Sequence, residues 1–259
     1  MILTFSQLGN CGRLGNQMFQ YATLRSVGIS LNMQTKIPNG NYSLLNFNIN
    51  KNFLNKNNNK KLNIYNEKHF HYCDDVFNIK ENTDIVGYFQ SYKYFDSIKN
   101  ILIKEFNNDD INNTCNEIIE NIKKKYDNKQ ITSLHLRRGD YINYPNVHPI
   151  CSYNYFEKCI EHFTDNIFLI FSDDITWCQN NLKFENKNIG YININEIADL
   201  ILMSKCDNNI ISNSSYSWWA AYLNRNENKR IFYPNIWFGK DGPQDIFDLI
   251  PQSWNMEYV

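Results

Sequence analysis

The sequence predicts an α/β protein built on parallel sheets and divided into two α/β domains. Short apolar runs alternate with helix-length amphipathic segments through the second half of the chain, the pattern of strands joined by crossover helices. An apolar stretch, a glycine turn and a helical period open the first half. Between them, residues 111–126 form a polar helix rich in Lys and Glu. That helix bridges the domains, which are expected at residues 1–127 and 128–259. A chain of 259 residues has room for one to two domains of roughly 150 residues.

In order, residues 1–8 are apolar, and Gly9-Asn10-Cys11-Gly12-Arg13-Leu14-Gly15-Asn16 makes a turn. Met18, Phe19, Ala22, Leu24, Ile29 and Leu31 then recur at helical spacing. Residues 46–63 are crowded with Asn and Lys, with a low-complexity run at 56–61, and read as a solvated surface loop. In the second half, strands are predicted at 131–136, 167–171, 209–212 and 230–233. Helices are predicted at 153–163, from a Ser172 cap through 182, at 196–206 and at 215–225.

Composition narrows the function. Hydrophobic residues at 42% and aromatics at 15% supply a sizeable core. Twenty-six Lys+Arg against 27 Asp+Glu leave a net charge of −1, without the electrostatic footprint of a nucleic-acid binder. No run approaches the ~18 apolar residues of a membrane span, and residues 1–10 lack the basic start of a secretory signal. Seven cysteines without a CxxC pair favour reduced thiols in the cytoplasm over disulfides or a zinc site.

The densest chemical signal is His135-Leu136-Arg137-Arg138-Gly139-Asp140, at the carboxyl end of a predicted strand, where open α/β sheets bind ligands. Two guanidiniums there match a diphosphate bidentately, or an Arg–Asp pair simply closes the turn. Gly12 and Gly15 allow close backbone approach, and the helix after them opens with N–H groups that attract anions. Asp173, in Ser172-Asp173-Asp174, follows a second strand and either accepts from a base or ribose or caps a helix. No further ligand at metal spacing accompanies the two acids. Asn213, Ser214 and Ser215 open another strand-to-helix crossing suited to a phosphate, while Trp218 and Trp219 after them pack the helix. Tyr88 and Gln90, in Gly87-Tyr88-Phe89-Gln90-Ser91, offer an aromatic face and an amide for a sugar ring, or ordinary core. These clamps suit a reaction that stabilises a departing diphosphate, such as glycosyl transfer from a nucleotide sugar.

Five segments together resemble the α-1,2-fucosyltransferases of glycosyltransferase family eleven. They are Gly12-Arg-Leu-Gly-Asn-Gln-Met-Phe-Gln-Tyr-Ala22, Gly87-Tyr-Phe-Gln-Ser91, His135-Leu-Arg-Arg-Gly-Asp-Tyr141, Phe171-Ser-Asp-Asp174 and Asn213-Ser-Ser-Tyr-Ser-Trp-Trp219, in the family's order. The resemblance implies a GT-B-type α/β fold of two facing Rossmann-like domains. It implies a metal-independent, inverting transfer of L-fucose from GDP-β-L-fucose to O2 of a terminal, usually β-galactosyl, sugar of a glycan acceptor. Carried over by motif, Arg137 would bind the β-phosphate with Arg138 in support, and His135 would contact the donor. Asp173 would recognise guanine or ribose, and Asn213, Ser214 and Ser215 would serve the phosphate side. Asn16 with the Gly12–Gly15 loop would close on the donor, and Tyr88 and Gln90 would face the acceptor. Asp140 is the acid nearest the arginines, either a general base or a lock on Arg138. The cysteine usage and the missing signal place the expected enzyme in the cytoplasm, and a lipid-linked acceptor could bring it to the membrane face. The competing expectations are a carbohydrate-binding protein without catalysis and a transferase with another acceptor.

Overall fold

A computed structural model describes residues 1–55 and 61–257; most of the low-complexity run, residues 56–60, lies outside the described residues. The chain divides into two compact units, Met1–Asn108 with Asp245–Pro251, and Asp109–Gln244 with Gln252–Val259.

The first unit carries a four-stranded parallel sheet in the order β2-β1-β4-β3. Its strands are β1 (Ile2–Thr4), β2 (Gln34–Lys36), β3 (Asn63–Asn66) and β4 (Thr83–Val86). Helix α1 (Leu14–Ser30) returns the chain from β1 to β2, and α2 (Lys99–Glu105) closes the unit. Because α1 is buried nearly all round, its polar side chains must be satisfied inside the protein. Gln17 Nε2 donates to Gly12 O at 3.2 Å, while Gln20 Nε2 donates to Cys11 O at 3.1 Å and Gly87 O at 3.2 Å. The helix thereby grips the turn that precedes it. Asp84 on β4 ties the end of β1 by accepting from Thr4 Oγ1 at 2.5 Å and Ser6 N at 2.8 Å. The Asn-rich stretch is not uniformly solvated: Phe47 and Ile49 are buried, with Phe47 against Phe106 at 5.6 Å.

The second unit holds a six-stranded, all-parallel sheet in the order β10-β9-β8-β5-β6-β7. The strands are β5 (Ile131–Leu136), β6 (Ile167–Ser172), β7 (Asn188–Ile192), β8 (Asn208–Ile210), β9 (Ile231–Pro234) and β10 (Asn255–Glu257). Five helices accompany them: α3 (Asp109–Lys125), α4 (Tyr153–Glu161), α5 (Ile175–Asn181), α6 (Glu196–Lys205) and α7 (Ser215–Leu223). Leu134, Phe168, Ile170 and Phe232 of the strands share one core with Phe156, Ile160 and Cys178 of α4 and α5. Trp218 and Trp219 are fully buried, Trp218 stacking on Tyr222 at 4.8 Å, so the pair packs α7 as its spacing suggests.

Three expectations change. The division falls at 108/109, where the sequence placed it near 128, and residues 245–251 return to the first unit. Helix α3 packs on α6 through the Cys115 thiol, which donates to Ala198 O, and pairs Lys123 with Asp207 at 3.1 Å. It is thus an outer helix of the second unit. Ser172 ends β6, and the cap of α5 is Asp174, which accepts from Trp177 N at 3.2 Å.

Candidate active site

In the second unit the chain runs outward from β5 to β6 and β7, then returns to lay β8 on the other side of β5. The loops leaving β5 and β8 diverge there, which opens the crevice where doubly wound sheets bind ligands. The arm after β5 is 137–140 and the arm after β8 is 211–215. Two segments more than seventy residues apart in sequence are therefore neighbours. Tyr141 bridges them, its hydroxyl donating to Asn213 O at 3.0 Å.

Neither arginine stands alone. Arg137 Nη2 donates to Asp140 Oδ1 at 2.6 Å, and Nη1 lies 2.9 Å from Asp173 Oδ2. Its guanidinium also sits 5.4 Å from the Tyr141 ring. Arg138 Nε donates to Asp174 at 3.1 Å, its guanidinium lies 4.2 Å over the Trp177 ring, and its backbone N–H donates to Asp173 Oδ1 at 2.9 Å. Asp140 consequently holds Arg137, where the alternative to a base role had it lock Arg138, because the turn 137–140 folds it back over the first arginine. Gly139 is required where it stands, since a Cβ there would run into the Asp173 carboxylate. A guanidinium carries five N–H donors, and each carboxylate engages a different nitrogen of Arg137. That array is oriented by its acids and still able to fork onto a phosphate.

His135, expected to contact the donor, is enclosed in its own unit. It is 3% exposed, with Nδ1 3.0 Å from Ser212 Oγ and its ring 5.4 Å from that of Tyr216. Burial, helped by the charge of Arg137, pushes its pKa down to about 3, so the imidazole is neutral and orients Ser212. Asn213 is likewise committed: Nδ2 donates to Pro149 O at 2.8 Å and Trp237 O at 2.9 Å, fastening two loops. Ser214 holds the N-cap position of α7, and Ser215 is the first helical residue and partly exposed. The opening of α7 therefore faces the same crevice with backbone N–H groups.

The first unit repeats the arrangement. Strand β1 lies between β2 and β4, so the loops after β1 and β4 also diverge at a reversal of strand order. These loops carry Gly12 and Gly87–Ser91. Gly12 has a left-handed φ of 88°, and a Cβ there would strike the Asn16 side chain. Gly15 and Asn16 are not loop residues; both lie in the first turn of α1. Asn16 Oδ1 accepts from Gln90 Nε2 at 3.0 Å, joining two of the sequence motifs, and Tyr88 beside them is 41% exposed.

Sequence reading missed Glu67. It follows β3, is partly exposed, and accepts from Tyr88 N at 2.7 Å and Phe89 N at 2.8 Å. It lies amid Asn and Lys with no motif around it. Only its neighbour strand β4 gives it a role.

Among the described residues, Cys73, Asp74 and Asp75 bring possible metal-ligand atoms within 4.8 Å, but Asp75 is already bonded to Lys68. Asp173 and Asp174 are engaged by the arginines. No described helix is long and apolar enough to cross a membrane.

Two parallel-sheet units with arginines, hydroxyls and amides at their strand ends make a GT-B-type fold of the glycosyltransferase class. A crystal structure of POFUT1 in complex with GDP shares it, with a TM-score of 0.51 and 9% identity over 90% of this chain and 97% of that one. The chain belongs to glycosyl transferase family 11, whose profile matches residues 4–244. It is 36% identical to the O-antigen biosynthesis glycosyltransferase WbnK of Escherichia coli, over 68% of this chain and 61% of that protein. An alpha-1,2-colitosyltransferase of Escherichia coli is 29% identical over 94% of this chain and 95% of its own. Galactoside alpha-(1,2)-fucosyltransferase 2 of Rattus norvegicus is 24% identical over 83% of this chain and 66% of its own length.

Proposed function

We propose that this glycosyltransferase moves L-fucose from GDP-β-L-fucose, with inversion, to O2 of a terminal β-galactosyl residue of a glycan. The observation that carries the reading is the convergence, at the switch point of the second unit, of the β5 arm bearing Arg137 and the β8 arm opening α7. As the acceptor oxygen bonds to the anomeric carbon, the bond from that carbon to the β-phosphate breaks and negative charge collects on the leaving GDP. Arg137, aimed by Asp140 and Asp173, neutralises that charge, and the N–H groups of α7 complete the phosphate cradle. Neutral His135 keeps Ser212 in place and takes no proton.

On this reading no metal is needed, since guanidiniums and amides carry the phosphate. The enzyme works in the cytoplasm, and a lipid-linked acceptor draws it to the membrane face. Incubation of the purified chain with GDP-fucose, lactose and EDTA should yield fucosyl-lactose by mass spectrometry, with release of GDP. Absence of transfer to any galactoside would reject the assignment. Similarity to the colitosyltransferase over nearly the whole chain favours one second reading, a 3-deoxy donor sugar. Competition between GDP-fucose and GDP-colitose distinguishes the two.

A further inference from the structure

We infer that Tyr141 is a positioning residue of the phosphate clamp, setting the plane of the Arg137 guanidinium with its ring and the opening of α7 with its hydroxyl. The inference rests on the glycosyl-transfer reading above, and every residue it uses belongs to the second unit.

The acids and the ring constrain Arg137 in different directions. Carboxylates meet a guanidinium along its N–H edges, so Asp140 and Asp173 fix where the fork points. An edge contact leaves the guanidinium free to tilt. An aromatic face resists that tilt, and the Arg137 guanidinium carbon lies over the Tyr141 ring, 5.4 Å from its centre, within the range of cation–π attraction.

The ring is itself held. His148 stacks on it at 4.6 Å with 14° between the planes, and the Phe238 ring lies 5.6 Å from that of His148. The loop carrying His148 is tied to the loop after β9. Val147 O accepts from Gly239 N at 3.0 Å, and Asn146 O accepts from Asp241 N at 3.0 Å. Gly239 lets the two loops meet, because a Cβ there would strike Asn146 O. Burial holds the His148 pKa below its usual value, so at neutral pH the imidazole is uncharged and does not repel Arg137.

The hydroxyl reaches the other arm. Burial raises the pKa of the phenol, so it stays a donor, bonded to Asn213 O at 3.0 Å. The Asn213 side chain is fixed as well: Oδ1 accepts from Cys151 Sγ at 3.5 Å, and Nδ2 donates to Pro149 O and Trp237 O. Ser214, the next residue, is the N-cap of α7, so the direction of the main chain at Asn213 sets where the first N–H groups of α7 point. One side chain thereby ties the arm bearing Arg137 to the arm that opens α7. Removing the hydroxyl loosens the α7 arm alone, whereas removing the ring loosens Arg137 too.

The test compares the full chain with its Tyr141→Phe and Tyr141→Leu variants by GDP calorimetry, transfer from GDP-fucose to lactose, and thermal melting. Tyr141→Phe keeps the ring and should weaken GDP about three- to tenfold, the loss of one neutral hydrogen bond. Tyr141→Leu should weaken GDP at least as much. It should also lower kcat about three- to thirtyfold, because Arg137 meets the charge that develops as GDP leaves. Tyr141→Phe, with its ring, should recover most of that kcat. A tyrosine that serves only the fold would lower the melting temperature and leave the GDP affinity and kcat of the folded protein unchanged. GDP weakened less than threefold in Tyr141→Phe overturns the assignment, whether or not Tyr141→Leu folds. A kcat for Tyr141→Leu within threefold of wild type also overturns it. No transfer by the wild type overturns the glycosyl-transfer reading itself, and this assignment with it.

Discussion

Arg137 and Asp173 are joined at 2.9 Å across the ends of β5 and β6, and the same aspartate accepts the backbone N–H of Arg138 at 2.9 Å. One carboxylate thus sets both the side chain of the first arginine and the main chain of the second. On the proposed reading, a phosphate clamp needs donors fixed before charge develops, and Asp173 would do that fixing.

Arg137→Ala should lower turnover 100- to 1,000-fold, roughly 3–4 kcal/mol of lost transition-state stabilisation. The fold should persist with a lowered melting temperature, because the side chain is only 13% exposed and its loss takes a partner from Asp173. Steady-state kinetics with circular dichroism checks this; a variant within a fewfold of wild type would place the clamp elsewhere. Salt should weaken GDP binding for the same reason, and an affinity indifferent to salt counts against an ionic clamp.

Gly139→Ala tests the Arg137–Asp173 relationship without touching either charge. The new methyl must displace the Asp173 carboxylate. The expected result is weaker GDP binding and a stability loss of about 1–3 kcal/mol from overpacking. Calorimetric titration with GDP measures the first and urea unfolding the second. Unchanged affinity would show that Asp173 has no part in arranging the clamp.

Asp140→Asn keeps an oxygen acceptor for Arg137 Nη2 and removes only a half-exposed charge. A less than tenfold drop in kcat is expected. A loss of about 100-fold or more would mark Asp140 as the general base.

Two buried groups make stability depend on pH in opposite senses. His135 titrates at about 3 in the folded chain, against about 6.5 when free, so the unfolded state binds the extra proton. Stability from this source is present above about pH 6.5 and is lost as pH falls toward 3. Glu67 is raised to about 7, so here the folded state holds the extra proton. Stability falls as pH rises from about 4.5 to 7, by at most about 3.5 kcal/mol at 1.4 kcal/mol per pH unit. Relative to wild type, Glu67→Gln should therefore gain stability on going from pH 5 to 7.5, and His135→Asn should gain it on going from 7.5 to 5. Denaturant titrations at both pH values measure this, and a difference independent of pH refutes the cause named for that residue.

Much of the second unit was legible because its strands are buried on both faces. Residues 167–171 are a continuous apolar run, residues 131–136 set Ile131, Leu134 and Leu136 among small polar residues, and the helix between them carries one apolar stripe. Strand β7 escaped notice because it is only half-buried throughout and contains Gly190. Strands β2 and β3 are short and polar, each packed through one or two side chains, so no period of two stands out.

Local chemistry along the chain determined the alternating α/β character, the glycine turn before α1, the Arg137–Arg138 doublet at a strand end and the family these motifs mark. Strand order, which depends on packing between distant segments, decided what those residues do. It set the β8 arm beside the β5 arm, put Asp173 on Arg137, enclosed His135 until it was neutral, and laid Glu67 under residues 87–89. A side chain's charge and partners follow from what surrounds it in space, and for each of these residues the decisive neighbours come from other turns or other strands.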